Sequence, residues 1–337
     1  LQSDPGKARY HITGTLRSAG TRWRLTLHLS DESSGTDVWR GHFDEEESDP
    51  FSAIDRFVVR ISAELRYKLQ AHEARDLASL DQDQMSVEQL LNVSSGLFQI
   101  PDEKSWRGAA VPLRRALELD PGNFMAQAAL AASLLTGHSI GWRQDTAENI
   151  QEADTLSAQA ISVAPHSDFT VFSRGYVAFK RGKIVEARRL GERALEISEG
   201  HVNSAYLVSL AASMDEDAVL ARSMADAALR TDRQHPMRHL SEVASGYAEY
   251  VVGDLASASD AFRRATDLAP LAGQPRLGLI FTLEMIGEVE QANECASGFL
   301  GTFADFETEQ IAFMPFKDIE RRANIKDALR SAFSRVT

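Results

Sequence analysis

Five short tails in this chain share one design. ALELDPGN (116–123), AISVAPHS (160–167), ALEISEGH (194–201) and ATDLAPLA (265–272) each begin with alanine and end in a chain-turning cluster, and ALRTDRQH (228–235) keeps the Ala-Leu start without the proline. From Ala160 onward the leading alanines stand 34, 34 and 37 residues apart, and a period of about 34 is that of a helix-turn-helix repeat. The first interval, 44 residues, holds about ten extra, which fit best at Thr136 to Asp145. Stacked repeats bury their apolar faces against neighbours, so 337 residues need not divide into ordinary globular domains.

Residue by residue, the last tail belongs to a unit with Gly246, Gly253, Ala258, Phe262, Ala265 and Pro270 at its small, turn, small, large, small and stop positions. Small residues let paired helices approach, and Pro270 ends the second helix. Preceding units agree at Gly175, Gly182, Ala187 and Ala194, then at Ala221 and Ala228; Gly287, Ala292 and Ala296 extend the series, while Phe303 to Phe316 is not repeat-like. Glu199 and Arg233 stand where proline is expected, and Gly191 where a larger residue is usual. These residues resemble the tetratricopeptide pattern. The resemblance implies a mostly α fold, an α-solenoid of five to six repeats over 87–316 closed by a helix in 317–337 that carries Ile319, Ile325, Leu329 and Phe333. It also implies a protein or peptide partner in a concave groove lined by the first helix of each repeat. The aromatic columns on those helices are Phe172, Tyr176 and Phe179, then Tyr206, then Val243, Tyr247 and Tyr250, then Phe281. Two readings of them stay open: a partly exposed groove wall or the core within each repeat.

The opening of the chain has a different period. Tyr10, Ile12, Gly14 and Leu16 lead to a turn at Arg17 to Gly20, after which Trp23, Leu25, Leu27 and Leu29 alternate with Arg22, Arg24, Thr26 and His28. A second turn, Asp31 to Gly35, leads to a third strand from Thr36 to Phe43 and an acidic run, Asp44 to Glu47. A three-strand meander needs a cover. The next segment supplies one: Ser48 or Asp49 can cap, Pro50 suits a first turn, and Phe51, Ile54, Phe57, Val58, Ile61, Leu65 and Leu69 recur at spacings of three and four. With Tyr10, Gly14, Arg17, Gly35, Trp39, Phe51 and Asp55, this stretch resembles the last part of the TolB-like α/β domain that stands between output domains and tetratricopeptide repeats in bacterial class III nucleotide cyclases and winged-helix regulators. The expected organisation is a partial TolB-like piece at 1–70, a polar hinge at 71–86 and the helical array thereafter.

Chemistry is sparse. A net charge of −13 disfavours a phosphate-binding surface, so no nucleic-acid partner is expected. The single cysteine, Cys295, fits a reducing compartment, and no apolar run reaches the length of a membrane span; a cytoplasmic chain with no membrane contact is the expectation. The start, LQSDPGKARY, has no initiator Met and no signal-peptide pattern, and reads as a piece whose beginning is missing. Gly137-His138-Ser139-Ile140-Gly141 matches a nucleophile elbow literally, but the residues before it favour helix where an elbow needs a strand. His235 and His239 have zinc-ligand spacing without the glutamate that should follow the first, and read as solvated or capping. The Asp44 to Glu47 run reads as a solvated turn, and Asn92-Val93-Ser94 carries no weight as a glycosylation acceptor without a secretory signal. No Gly-rich phosphate loop and no paired metal-binding aspartates of a cyclase domain occur, so neither a cofactor nor a metal is expected. The expectation is therefore a non-catalytic protein- or peptide-binding scaffold that regulates a signalling output domain. The alternatives are a self-association module, forming a homodimer, and a serine hydrolase acting through Ser139.

Overall fold

The computed structural model describes residues 8–77, 81–100, 103–139, 146–231, 237–303, 306 and 315–337. It opens with β1 (Tyr10–Ala19), β2 (Arg22–Asp31) and β3 (Thr36–Glu46), an antiparallel meander in the order β1-β2-β3, covered by the long helix α1 (Pro50–Leu77). In the paired rows, Ile12, Leu29 and Trp39 share one face, as do Gly14, Leu27 and Gly41, and then Leu16, Leu25 and Phe43. The two glycines make room for larger neighbours: a Cβ on Gly14 would stand 2.5 Å from Leu27 Cδ2, and one on Gly41 2.2 Å from the Trp39 ring and 2.7 Å from that of Phe43. The opposite face carries Arg24, paired with Asp44, and His28, 2.6 Å from Asp37.

Asp49 starts α1 by accepting from the Ser52 amide at 2.9 Å. Phe57, Ile61, Leu65 and Leu69 cover the sheet with Leu29, Trp39 and Phe43, whereas Phe51, Ile54 and Val58, expected on the same face, are exposed. The buried stripe of α1 begins instead at Ala53 and Phe57, and Arg56 and Arg60 pair with Glu47 and Glu45 at the end of β3. The acidic run is thus a strand end, not a solvated turn, with Asp44 bonded to β2 and Glu45 to α1. Buried Glu64 accepts from Trp39 Nε1 at 2.8 Å.

The helical array follows as α2 (Val87–Phe98), α3 (Glu103–Leu119), α4 (Phe124–Ser139), α5 (Ala147–Val163), α6 (Asp168–Lys180), α7 (Ile184–Ile197), α8 (Val202–Met214), α9 (Ala218–Thr231), α10 (Arg238–Val252), α11 (Leu255–Leu268), α12 (Gly273–Ile286) and α13 (Val289–Thr302), with α14 (Ile319–Ser334) closing it. Serine, threonine and aspartate caps begin many of these helices: Ser86 with Gln89 in a full capping box, Thr146, Ser167, Asp254 and Asp318. Ala187, Ala221 and Ala258 are fully buried between helices. The turn inside successive repeats takes a left-handed residue at Gly182, Glu216, Gly253 and Gly287. Where the last full unit has Phe262, α7 has Gly191, and α8 moves in to fill the space: a Cβ there would lie 2.7 Å from Val208. In α14, Ile325, Leu329 and Phe333 are buried, but Ile319, expected beside them, is exposed in the first turn.

α1 runs on through Leu77, into the segment expected as a hinge, and packs along α2. Gly96 touches Ala74, whose Cβ would be 2.2 Å from one built on the glycine. Glu73 accepts from Tyr10 at 3.1 Å and from Asn92 at 2.7 Å, tying β1, α1 and α2 together.

Candidate functional site

The first helices α2, α4, α6, α8 and α10 line a cavity of about 780 Å³, α2 and α4 along most of their length and α6, α8 and α10 from their N-terminal turns, and it is closed on another side by Val58, Ser62 and Gln70 of α1. Its wall is chiefly apolar and aromatic, with Phe98, Met125, Phe169, Phe172, Tyr206 and Leu240 prominent. Phe172 stacks on Tyr176 at 5.9 Å between centroids and meets the His201 ring edge-on at 5.4 Å. His201 is itself held by Ser204, Nδ1 to Oγ 2.6 Å. Arg174 and Arg181 both grip Asp154, which locks α5 to α6 behind this wall.

The structure divides the aromatic columns. Phe172, Tyr176 and Tyr206 border the cavity. Phe179, Val243, Tyr247, Tyr250 and Phe281 do not. The partial exposure expected of a groove wall is absent in all eight residues, the three at the cavity included: Phe172 is 7 %, Tyr176 5 % and Tyr206 4 % exposed, while Tyr247 sits edge-on to Phe262 at 5.0 Å, and Tyr250 to Phe281 at 5.1 Å. For Tyr247 and Tyr250 the reason is α14. Its Arg321 donates to the Tyr250 carbonyl at 3.0 Å and lies 5.0 Å over that ring, while Phe316 ahead of it packs on both tyrosines. Burial pushes the Tyr250 phenol up to about 12 despite the neighbouring Arg321.

The cavity residues that sequence reasoning passed over lie one helical turn earlier. Phe169, Asn203 and Leu240 all line the wall and repeat the 34- and 37-residue spacing of the tails. The signal was present in a phase three residues before Phe172 and Tyr206.

Other candidates resolve simply. Ser139 ends α4, so helix and not strand precedes it, and Ile140 and Gly141 lie outside the described residues. His235 also lies outside them; His239 is 2 % exposed, buried in α10 rather than solvated. Asn92 is engaged with Glu73, and Ser94 donates to the Ala109 carbonyl at 2.8 Å. Among the described residues no group of three or more His, Cys, Asp or Glu could hold a metal ion, and no helix is long and apolar enough to cross a membrane.

The architecture is a tetratricopeptide-like α-solenoid preceded by a three-stranded meander and its helix. It is similar to the human IFIT1 dimer with m7Gppp-AAAA, with TM-score 0.56 and 16 % identity over 81 % of this chain and 64 % of that one. It is likewise similar to the hetero-tetramer Cut9-Hcn1 of APC/C, with TM-score 0.54 and 16 % identity over 82 % of this chain and 50 % of that one. At this identity the likeness is one of fold. No protein-family model matches the chain. In sequence, 154 residues, 45 % of the chain, are 29 % identical to "Putative adenylate cyclase 3" of Rhizobium meliloti (strain 1021); the match spans 26 % of that relative's length.

Proposed function

We propose that this chain is a non-catalytic recognition scaffold that holds a protein or peptide segment in the cavity between α1 and the first helices of the array. The observation that carries this reading is the cavity itself: 780 Å³, apolar, walled by successive repeats and closed by an element outside them. The 154-residue similarity to a protein named as a cyclase is what supports a regulatory place beside a nucleotide cyclase output; the transcriptional-regulator context rests on the resemblance of the opening residues alone. A net charge of −13 argues against a phosphate-rich occupant, and the helix preceding Ser139 argues against hydrolysis. A photo-crosslinking residue placed at Met125, on the wall, should capture a discrete partner in an extract of the native cell. The same residue at Val219, 83 % exposed on α9, should not. Equal labelling from both positions would overturn the reading, as would stoichiometric reaction of Ser139 with a serine-directed phosphonate.

One observation favours self-association as a second reading. β1 is an edge strand of ten residues, exposed from His11 to Ala19, with Ile12 and Leu16 on the helix-facing side beyond the reach of α1. A dimer built on this edge dissociates in Leu16→Lys when followed by sedimentation velocity, and an oligomeric state unchanged by that substitution counts against it.

A further inference from the structure

The cavity wall holds a polar group that the fold leaves unused. Tyr206 is 4 % exposed and borders the cavity, yet its hydroxyl has no hydrogen-bond partner among the described residues. Buried tyrosine hydroxyls ordinarily find one. Burial, followed by the neighbouring Tyr176 and Tyr247, holds this phenol well above its ordinary range, so it stays a neutral donor. The rim adds a second feature. Glu88 and Glu199 line the mouth, and neither has an ion-pair partner among the described residues, whereas the array's other carboxylates commonly do: Asp154 with Arg174, Glu249 with Arg222, Glu284 with Arg335. Glu199 stands at the turn before α8 where the repeat pattern expects proline, so the departure from that pattern places a carboxylate at the opening.

Resting on the cavity reading above, we propose that the occupant is a short peptide segment that pairs an apolar side chain with an adjacent lysine or arginine. The apolar side chain packs among Phe169, Phe172 and Leu240, a backbone carbonyl of the segment accepts the Tyr206 hydroxyl, and the cationic group meets Glu199 and Glu88 at the mouth. Charge complementarity selects this partner over an acidic one, because an acidic segment would set carboxylate against carboxylate at the rim.

The test is a positional-scanning library of acetylated, amidated hexapeptides, measured against the full chain by fluorescence polarisation. Sub-libraries that fix Phe, Trp or Leu beside Lys or Arg should bind roughly ten-fold more tightly than those with Asp or Glu at the same place, and their binding should weaken as salt rises. Tyr206→Phe should keep the thermal midpoint, since no internal hydrogen bond is lost, and weaken the selected peptides about five- to ten-fold. A purely structural tyrosine would not show that separation. Glu199→Lys should invert the charge preference. Preference for acidic peptides, charge-indifferent binding, or wild-type affinity in Tyr206→Phe would overturn this proposal while leaving the cavity reading intact. If no sub-library distinguishes the wild-type chain from Met125→Trp, which fills the wall at an exposed position, the cavity reading fails with it.

Discussion

The ring of Phe262 lies against Gly278 in the next repeat, so closely that a Cβ on the glycine would stand 2.4 Å from Phe262 Cδ1. Gly246, in the same repeat as the ring, faces it from the other side with 2.6 Å to Cε1. One phenyl group thus joins two repeats through two missing side chains. Gly278→Ala should therefore cost about 1–3 kcal/mol by overpacking, although alanine favours helix. Gly298→Ala, which meets only the far end of Arg276 at 3.5 Å, should be neutral or stabilising by up to about 1 kcal/mol. Urea unfolding of the two variants checks the contrast; equal stability would remove Phe262 from the space between the glycines.

Glu216 occupies the turn position that is glycine in the neighbouring repeats, at φ 66° beside values of 74°, 90° and 86°. A side chain in this conformation is strained by about 1–2 kcal/mol. Its carboxylate lies 3.1 Å from Arg321 of α14, so the strained residue also anchors the closing helix. Glu216→Gly and Glu216→Ala both delete that ion pair, and their difference isolates the backbone. The glycine variant should be the more stable by about 1 kcal/mol in chemical denaturation. Equal stability would show that Glu216 does not adopt the left-handed conformation.

How much of this was written in the sequence follows from which interactions are local. Caps such as Asp49 and Ser86, the 34-residue spacing and the alternation of Trp23 to Leu29 act within a helix, a turn or a strand pair, so strands, helices and repeat register were all legible. The facing of α1 was not, because two apolar stripes one residue apart, Phe57 to Leu69 and Ile54 to Val58, both have helical spacing, and only the packing on Leu29, Trp39 and Phe43 chooses the first. The aromatic columns were ambiguous for a similar reason. Tyr176 and Tyr247 have equivalent places in their repeats, and only the packing of Phe316 and α14 over the latter makes one a cavity wall and the other core. Glu199 was visible as a missing proline, but its place at a cavity mouth needed α1 and α2 in position.

Asp31 should make the meander sensitive to acid. Burial by itself would raise its pKa, but hydrogen bonds from Arg9, Ser33 and His72 outweigh that and hold it well below the usual carboxylate range. Arg9 reaches it at 2.9 Å and His72 at 3.0 Å. Because the folded value lies below the ordinary 3.8, the stabilisation is complete above about pH 4 and is lost as pH falls through the folded value. Acid titration followed by Trp39 fluorescence should show the meander loosening only below that point. Arg9→Ala should move the transition to higher pH, and an unshifted transition would show that the pair contributes no folded-state stabilisation.

Tyr247 separates core from cavity most sharply. It is 2 % exposed, edge-on to Phe262 at 5.0 Å and to Phe316 at 6.2 Å, and burial raises its phenol well above the ordinary range. Truncating such a ring leaves a hole that rigid helices cannot close, so Tyr247→Ala should cost about 3–5 kcal/mol and expose the repeats on either side. Met125, 37 % exposed on the cavity wall, should lose less than about 1 kcal/mol as Met125→Ala while still altering whatever the cavity holds. Thermal melts and denaturant titrations of the two variants need no knowledge of the partner. A Tyr247→Ala chain that melts with the wild type would place that ring on an open wall and return the whole aromatic column to the candidate binding surface.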